Sequence, residues 1–180
     1  MNSRQEPDKP RWARRVAGQH KAHDVWYLFK KKITSSDVHK HQHRLLIGKS
    51  DIYDRLLPAM SEEEKKAASF PNHPGAGIRR HRPDHLAGGE RGPREVGRNH
   101  GGLEVMVYDQ RGQGCRLLLT RWDGSGAAVL KGKNYENFLR KSRIEEGDDV
   151  EVWAFRDEDE KLCFVVGNIT VLSLLSLQIS

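Results

Sequence analysis

The chain has 180 residues, of which 31% are charged and 36% hydrophobic, and its formal net charge at pH 7 is +6. This length, with a mean hydropathy of −0.76, predicts one domain with a small core and a good deal of unstructured chain. The pI of about 9.4 is typical of nucleic-acid-binding domains. It also fits a protein that binds an acidic partner or a membrane surface. Residues 165–179 fall short of the ~20 apolar residues that span a bilayer, so we expect no membrane anchor. Cys115 and Cys163 form no Cys-x-x-Cys motif, which favours an intracellular protein with reduced thiols.

The first half of the chain contains a strongly basic segment between two apolar runs. Residues 1–24 hold six cations and little to bury, which predicts a disordered basic tail. Residues 25–29 and 45–47 are apolar and predict two strands, and the polar residues 34–44 between them contain no Gly or Pro. Within residues 30–49, five lysines and Arg44 face one acidic residue, Asp37, so the net charge is +5. Such a loop suits contacts with phosphates and base edges, or else it is a solvated basic loop.

The next segment changes from a short helix to a stretch without a core. Ser50 is a suitable N-cap for a helix over residues 50–57, which Pro58 ends. Residues 62–100 include six glycines, four prolines and only four large apolar residues, which predicts a disordered insertion inside the domain. The basic residues 78–83 within it are a nuclear-import patch, a segment that trails along DNA, or an ordinary solvated charge run.

The second half of the chain alternates short strands with turns. Five strands are predicted there, over residues 103–108, 115–121, 127–131, 150–155 and 162–166, and one helix over residues 134–141. The first two of these strands are separated by turn residues and predict a hairpin. A small barrel-like sheet of about seven strands closes such a set without exposed edges.

Two separate motifs resemble the plant B3 DNA-binding domain, which occurs in auxin-response and abscisic-acid-response transcription factors. In the first, residues 32–38 read Lys-Ile-Thr-Ser-Ser-Asp-Val and residues 44–49 read Arg-Leu-Leu-Ile-Gly-Lys. In the second, a strand over residues 117–121 is followed by a loop that contains Trp122 and by a strand that ends at Gly132. A helix over residues 134–141 comes next, and Gly147 and Asp148 then precede an apolar strand. The resemblance covers about residues 25–57 and 103–166. Gly48 replaces the usual Pro of the family, and the His-Gln-His triplet at 41–43 is similar to its divergent, small single-domain branch.

The resemblance implies a mainly β fold, a seven-stranded open pseudobarrel with two short α-helices over residues 25–166. The apolar C-terminal tail at 167–180 has no counterpart in the family. It implies a nuclear transcription factor with double-stranded DNA as its partner and other transcription factors as further candidates. It implies no catalysis, no metal, no cofactor, no membrane and no small-molecule substrate. Two loops, arm 1 (residues 34–44) and arm 2 (residues 121–125), are expected to clamp the major groove. The expected DNA-binding residues are Lys32, Thr34, Ser35, Ser36, Lys40, His41, Gln42, His43, Arg44, Lys49, Arg121, Trp122, Asp123 and Ser125. Lys31 is expected to contact phosphate and to strengthen binding to all sequences alike.

Other functions fit particular residues less well. On an extended strand, His39, His41 and His43 would lie on one side and offer a metal face, but no Cys pair or carboxylate cluster is nearby in the sequence. No Gly-rich loop is followed by Lys-Ser or Lys-Thr, so a phosphate-binding enzyme is not indicated. The main rival is a protein-interaction module that keeps the B3 fold without sequence-specific DNA binding, with the acidic residues 145–146 and 157–160 open to partners. The basic charge of arm 1 argues against that rival.

Overall fold

The computed structural model describes residues 6–39, 41–42, 44–70, 102–122 and 125–177. Their seven strands form one sheet in the order β1-β6-β7-β3-β4-β5-β2, in which all neighbours pair antiparallel except β3 and β7. The strands are β1 (Val25–Lys32), β2 (Arg44–Ile47), β3 (Leu103–Asp109), β4 (Gly114–Arg121), β5 (Ala128–Lys131), β6 (Asp149–Arg156) and β7 (Leu162–Asn168). The predicted mainly β, seven-stranded open barrel is thereby confirmed, with β1 and β2 as its two edge strands.

The interior strand β7, between β6 and β3, shows where the core lies. All seven of its residues are buried, because apolar groups cover both faces of the sheet at this position. Leu162, Phe164 and Val166 belong to the main core. Cys163 and Val165 belong to a second apolar cluster, to which the N-terminal helix contributes. A strand that is covered on both faces has a continuous run of apolar residues, which is why the sequence predicted this strand.

More helices form than the two that were expected. They are α1 (Arg11–Gln19), α2 (Ser35–Val38), α3 (Lys49–Asp51), α4 (Glu62–Ala67), α5 (Tyr135–Ser142) and α6 (Ile169–Leu177). The predicted helices over residues 50–57 and 134–141 correspond to α3 and α5, and α3 continues as a π-helical turn (Ile52–Leu56) and a 3₁₀ turn (Leu57–Ala59). None of the helices in the described ranges is long and apolar enough to cross a membrane.

Helix α1 corrects the expectation of a disordered tail over residues 1–24. Ala13, Val16 and Ala17 are buried against the second apolar cluster, on the face of the sheet opposite the main core. Trp12 lies so close to Gly167 on β7 that a Cβ placed there would come within 2.4 Å of its ring. The helix was missed because its apolar face consists mainly of small residues between arginines. Residues 1–5 lie outside the described ranges.

The expected insertion over residues 62–100 is ordered at its start. Ser61 caps α4 by accepting a hydrogen bond from the Glu64 N–H at 3.2 Å, and the Glu64 carboxylate accepts from the Ser61 N–H at 2.9 Å. Arg156 on β6 forms an ion pair with Glu64 at 2.5 Å. Ala68 and Phe70 are buried in the main core, so residues 62–70 are a strap across the barrel. Residues 71–101 lie outside the described ranges.

The apolar tail expected over residues 167–180 begins inside the barrel. Strand β7 runs to Asn168, whose side-chain amide donates to the Arg143 carbonyl and to Asp148 Oδ2, both at 2.7 Å. Helix α6 follows directly, and its Thr170 hydroxyl accepts from the Asp149 N–H at 3.0 Å. The end of the sheet is thus tied to the turn before β6. Residues 178–180 lie outside the described ranges.

Candidate nucleic-acid interface

Arm 1 begins with the helical turn α2 rather than with an open loop. The Thr34 N–H and hydroxyl both donate to Asp37 Oδ2, at 2.9 and 2.7 Å, in a capping arrangement. The Ser36 hydroxyl lies 2.9 Å from the Thr34 hydroxyl. Ser35 is exposed. The three-residue spacing from Thr34 to Asp37 was the sequence signal for this turn, since Thr followed by an acidic side chain at that distance is a helix start.

A buried ion pair joins arm 1 to both edge strands. Lys31 Nζ on β1 lies 2.7 Å from Asp37 Oδ1 and donates to the Leu46 carbonyl on β2 at 3.1 Å. The Leu46 N–H donates to the same Asp37 oxygen at 3.3 Å. Among the described strands, β2 pairs only with β5, so these two side chains cap backbone groups on its free edge. We call Lys31, Asp37 and the Leu46 backbone the edge clasp.

The edge clasp changes the role expected of Lys31. The Asp37 side chain is 1% exposed and that of Lys31 is 19% exposed, so this lysine is used within the protein. Burial by itself raises the pKa of Asp37, but hydrogen bonds from Lys31 and Thr34 outweigh burial and hold the pKa below its ordinary value. Asp37 is therefore an anion at neutral pH, and Lys31 neutralises it. Lys31 is therefore less available to phosphate than the basic charge of the segment predicts.

The second half of arm 1 is a turn. The Gln42 N–H donates to the His39 carbonyl at 2.9 Å, and the rings of His39 and His41 lie 5.4 Å apart. Both His41 and Gln42 are exposed. Two further predicted site residues, Lys40 and His43, lie outside the described ranges. Within those ranges no group of three His, Cys, Asp or Glu side chains is placed to hold a metal ion.

The end of arm 1 meets arm 2. The Arg44 guanidinium carbon lies 3.9 Å from the centre of the Trp122 ring, a cation–π contact. The Trp122 N–H donates to the Ala127 carbonyl at 2.8 Å, which closes arm 2 as a tight loop. The Ser125 hydroxyl accepts from the Ala127 N–H at 3.3 Å inside that loop. Asp123 lies outside the described ranges.

Lys49 joins the same region from the start of α3. A Cβ added to Gly126, which has a φ of +70°, would lie 3.3 Å from Lys49 Cδ, so the lysine stem rests against the residue that follows arm 2. Its amine lies 5.9 Å from the Tyr53 ring centre. Within the described part of the chain, neither Lys49 nor Arg44 forms an ion pair with a carboxylate. Both are open to an external anion.

Lys32 makes contacts within the protein through its side chain, and Arg121 makes one through its backbone. Lys32 donates to the Gly147 carbonyl at 3.1 Å and lies 3.6 Å from Asp149, at the turn before β6. Arg121 ends β4, and its N–H donates to the Ala68 carbonyl of the strap at 2.8 Å. Among the described residues, no hydrogen bond, ion pair or ring contact joins Lys32 to Arg44 or Trp122, whereas Arg121 directly precedes Trp122 in the chain. The residues that are brought together are Arg44, Lys49, Trp122 and Ser125.

Sequence reasoning missed two neighbours of Arg44. Lys131 on β5 is paired with Arg44 across the strands and is half-buried. Leu46 lies two residues along β2, so its side chain is on the same face of the sheet as Arg44. It is 38% exposed. The signal for both was the period of two along β2 and β5, which becomes usable only when the pairing of the two strands is known.

The fold and the arms define a class of small open β-barrel with two loops that meet beside an edge strand. Residues 94–169 match the family model of the At2g31720-like B3 domain-containing proteins. A curated relative, the B3 domain-containing protein At2g31420 of Arabidopsis thaliana, is 29% identical over 70 residues, 38% of this chain. That match spans 34% of the relative, about a third of its length. The predicted resemblance to the plant B3 domain family is confirmed.

Two solved structures are similar over most of the chain. The Arabidopsis FUS3–DNA complex is 16% identical, covers 79% of this chain and 95% of its own, and has a TM-score of 0.43. The Arabidopsis thaliana transcription factor LEC2–DNA complex is 20% identical, covers 81% of this chain and 94% of its own, and has a TM-score of 0.44.

Proposed function

We propose that this chain is a nuclear transcription factor that binds double-stranded DNA through arm 1 and arm 2 in one major groove. The observation that carries the proposal is the stacking of Arg44 on Trp122, which joins the two arms and holds a cation without a carboxylate partner in the described ranges. The confirmed resemblance to B3 domain-containing proteins supports the same function.

Arg44 is suited to read a base. A guanidinium presents a fixed fork of donors that fits the O6 and N7 acceptors of guanine. The guanidinium lies over the Trp122 ring, with its carbon 3.9 Å from the ring centre. Because the side chain is held before DNA arrives, less rotamer freedom is lost on binding. Gln42, exposed in the turn before it, suits adenine.

The remaining contacts would set the register on the DNA backbone. Lys49 beside arm 2 and the exposed hydroxyls of Ser35 and Ser36 are suited to phosphate. Lys32 would first have to leave Asp149, so we expect it to contribute less. The resemblance also supports contacts from Lys40, His43 and Asp123.

The first test selects duplexes from a randomised pool with the purified protein, then follows the affinity for the winning duplex against salt. We expect a short enriched motif and a slope of log K against log salt of about −4 to −6, as five or six phosphate contacts predict. Salt-sensitive binding without a motif would leave only electrostatic contacts. No binding to any duplex would refute the proposal and favour the protein-interaction module.

The second test places Arg44 at the interface. Arg44→Ala should lose about 1–3 kcal/mol of binding free energy and relax the preference at one base pair. Arg116→Ala is the matched control, since Arg116 is exposed near the other end of β4 from arm 2 and pairs with Glu104 at 3.3 Å. Equal affinities of the two variants would refute the placement of arm 1 on DNA. The same holds if the double variant of Lys40 and Arg44 binds like the unchanged protein.

A further inference from the structure

Leu46 is an exposed apolar side chain among cations. Large hydrophobic side chains exposed within the described ranges are Leu46, Trp122 and Leu174. Two of these three lie at the candidate interface, and Trp122 is engaged by Arg44. Leu46 is the remaining one, on the same face of β2 as Arg44. If this surface bound only phosphates, the apolar side chain of Leu46 would have no favourable partner there.

The position of Leu46 is unusually well held for an edge strand. Its N–H donates to Asp37 and its carbonyl accepts from Lys31, and both of its neighbours in sequence, Leu45 and Ile47, are buried. The edge clasp therefore holds the Leu46 backbone on the free edge of β2. The burial of Leu45 and Ile47 in the core fixes the same backbone from both sides along the strand. The Leu46 side chain therefore projects from a fixed backbone position on the same face as Arg44, which lowers the conformational entropy lost when it contacts a ligand.

The major groove of duplex DNA offers an apolar side chain one kind of partner. Its base edges carry hydrogen-bond donors and acceptors, and the apolar group among them is the C5 methyl of thymine. A 5-methylcytosine places the same methyl group at the same ring position. A leucine held beside a base-reading arginine is thus suited to a methylated pyrimidine next to the base pair that the arginine reads.

We propose that Leu46 is a specificity-determining residue that contacts the C5 methyl group of a pyrimidine. This inference rests on the proposed function, because it needs arm 1 to lie in the major groove. It goes beyond that function by naming a chemical group that the protein distinguishes. Removing the methyl group leaves every hydrogen bond of the base pair in place, so the contact can be tested without disturbing the rest of the interface.

The experiment uses the duplex selected from the randomised pool. Each thymine in turn is replaced by deoxyuridine, and each cytosine in turn by 5-methylcytosine, and the dissociation constants are measured for the unchanged protein and for Leu46→Ala. We expect one position at which the methyl group tightens binding of the unchanged protein by about fourfold, the factor for burying one methyl group. Leu46→Ala should lose most of that factor at that position alone. A thymine position identifies thymine as the source, and a cytosine position identifies 5-methylcytosine.

Two controls separate this contact from a general loss of binding. Leu174→Ala removes another exposed leucine, on α6, and should keep the full methyl effect. Leu46→Met keeps an apolar side chain and should retain much of it. If the unchanged protein binds the duplex with the expected salt slope but no position depends on Leu46, the inference is refuted and the proposed function stands. If no duplex is bound, both fail.

Discussion

Asp37→Asn should destabilise the fold by about 3 kcal/mol. The Asp37 carboxylate accepts hydrogen bonds from Lys31, from the Thr34 N–H and hydroxyl, and from the Leu46 N–H. Asparagine has one acceptor oxygen, which can keep the two bonds from Thr34. Its NH₂ group would then face two donors, Lys31 and the Leu46 N–H.

The magnitude follows from the two contacts that are lost. A hydrogen bond to a charged group contributes about 1.5–3 kcal/mol, and a buried donor without an acceptor costs about 1–3 kcal/mol. Breaking a fully buried ion pair costs about 3–5 kcal/mol. The lower end of this range, about 3 kcal/mol, applies to Asp37→Asn because the Lys31 side chain is 19% exposed and can turn towards water.

The assay is urea unfolding at pH 7, followed by circular dichroism and tryptophan fluorescence, with the slope m held equal between variants. Asp159→Asn is the matched control, because Asp159 is 66% exposed and pairs with Lys161, which is 72% exposed. That pair should contribute less than about 1 kcal/mol. If the two variants unfold at the same urea concentration, the edge clasp does not stabilise the fold.

The same variant gives a pH test with a defined sign. The pKa of Asp37 is lower in the folded protein than its ordinary value, so its contribution to stability is present at neutral pH and disappears as pH falls below about 4. The stability difference between the unchanged protein and Asp37→Asn should therefore shrink between pH 5 and pH 3. A difference that stays constant over this range would contradict an ionised Asp37 in the folded state.

Three further perturbations address other contacts. Glu64→Gln should cost about 2–3 kcal/mol, because it weakens the ion pair with Arg156 (2.5 Å) that holds the strap, and faster limited proteolysis near residues 62–70 would report it. Gly167→Ala should lower the free energy of unfolding by about 1–3 kcal/mol, because the added Cβ would lie 2.4 Å from the Trp12 ring. Faster amide exchange in α1 would show that the helix has been displaced. Trp122→Leu should weaken DNA binding several-fold without a change in unfolding free energy above about 1 kcal/mol, since the ring is 39% exposed and mainly orients the arginine above it; unchanged affinity would contradict that role.

The residues of this chain determined which strands form and in which order the arms occur. The runs that became β1, β3, β4, β6 and β7 alternate or are continuously apolar, and such patterns reflect burial on one or both faces of a sheet. The two B3-like motifs placed Arg44 and Trp122 in the candidate arms and Lys49 just after arm 1, and these three do lie in one region. Local pattern sufficed there because each motif is short and its residues are close in sequence.

Contacts between distant segments decided the rest. Helix α1 is ordered because Val16 and its neighbours fill the outer face of β7, more than 140 residues away by the numbering, and a basic segment carries no local sign of such a partner. Lys31 and Lys30 look alike in sequence, yet one is tied to buried Asp37 and the other is exposed. Charge can be counted along a chain, but whether it is free for a ligand depends on the partner that the fold brings within hydrogen-bond distance. The tertiary structure alone therefore separated the cation that links the two edge strands from those that face outward.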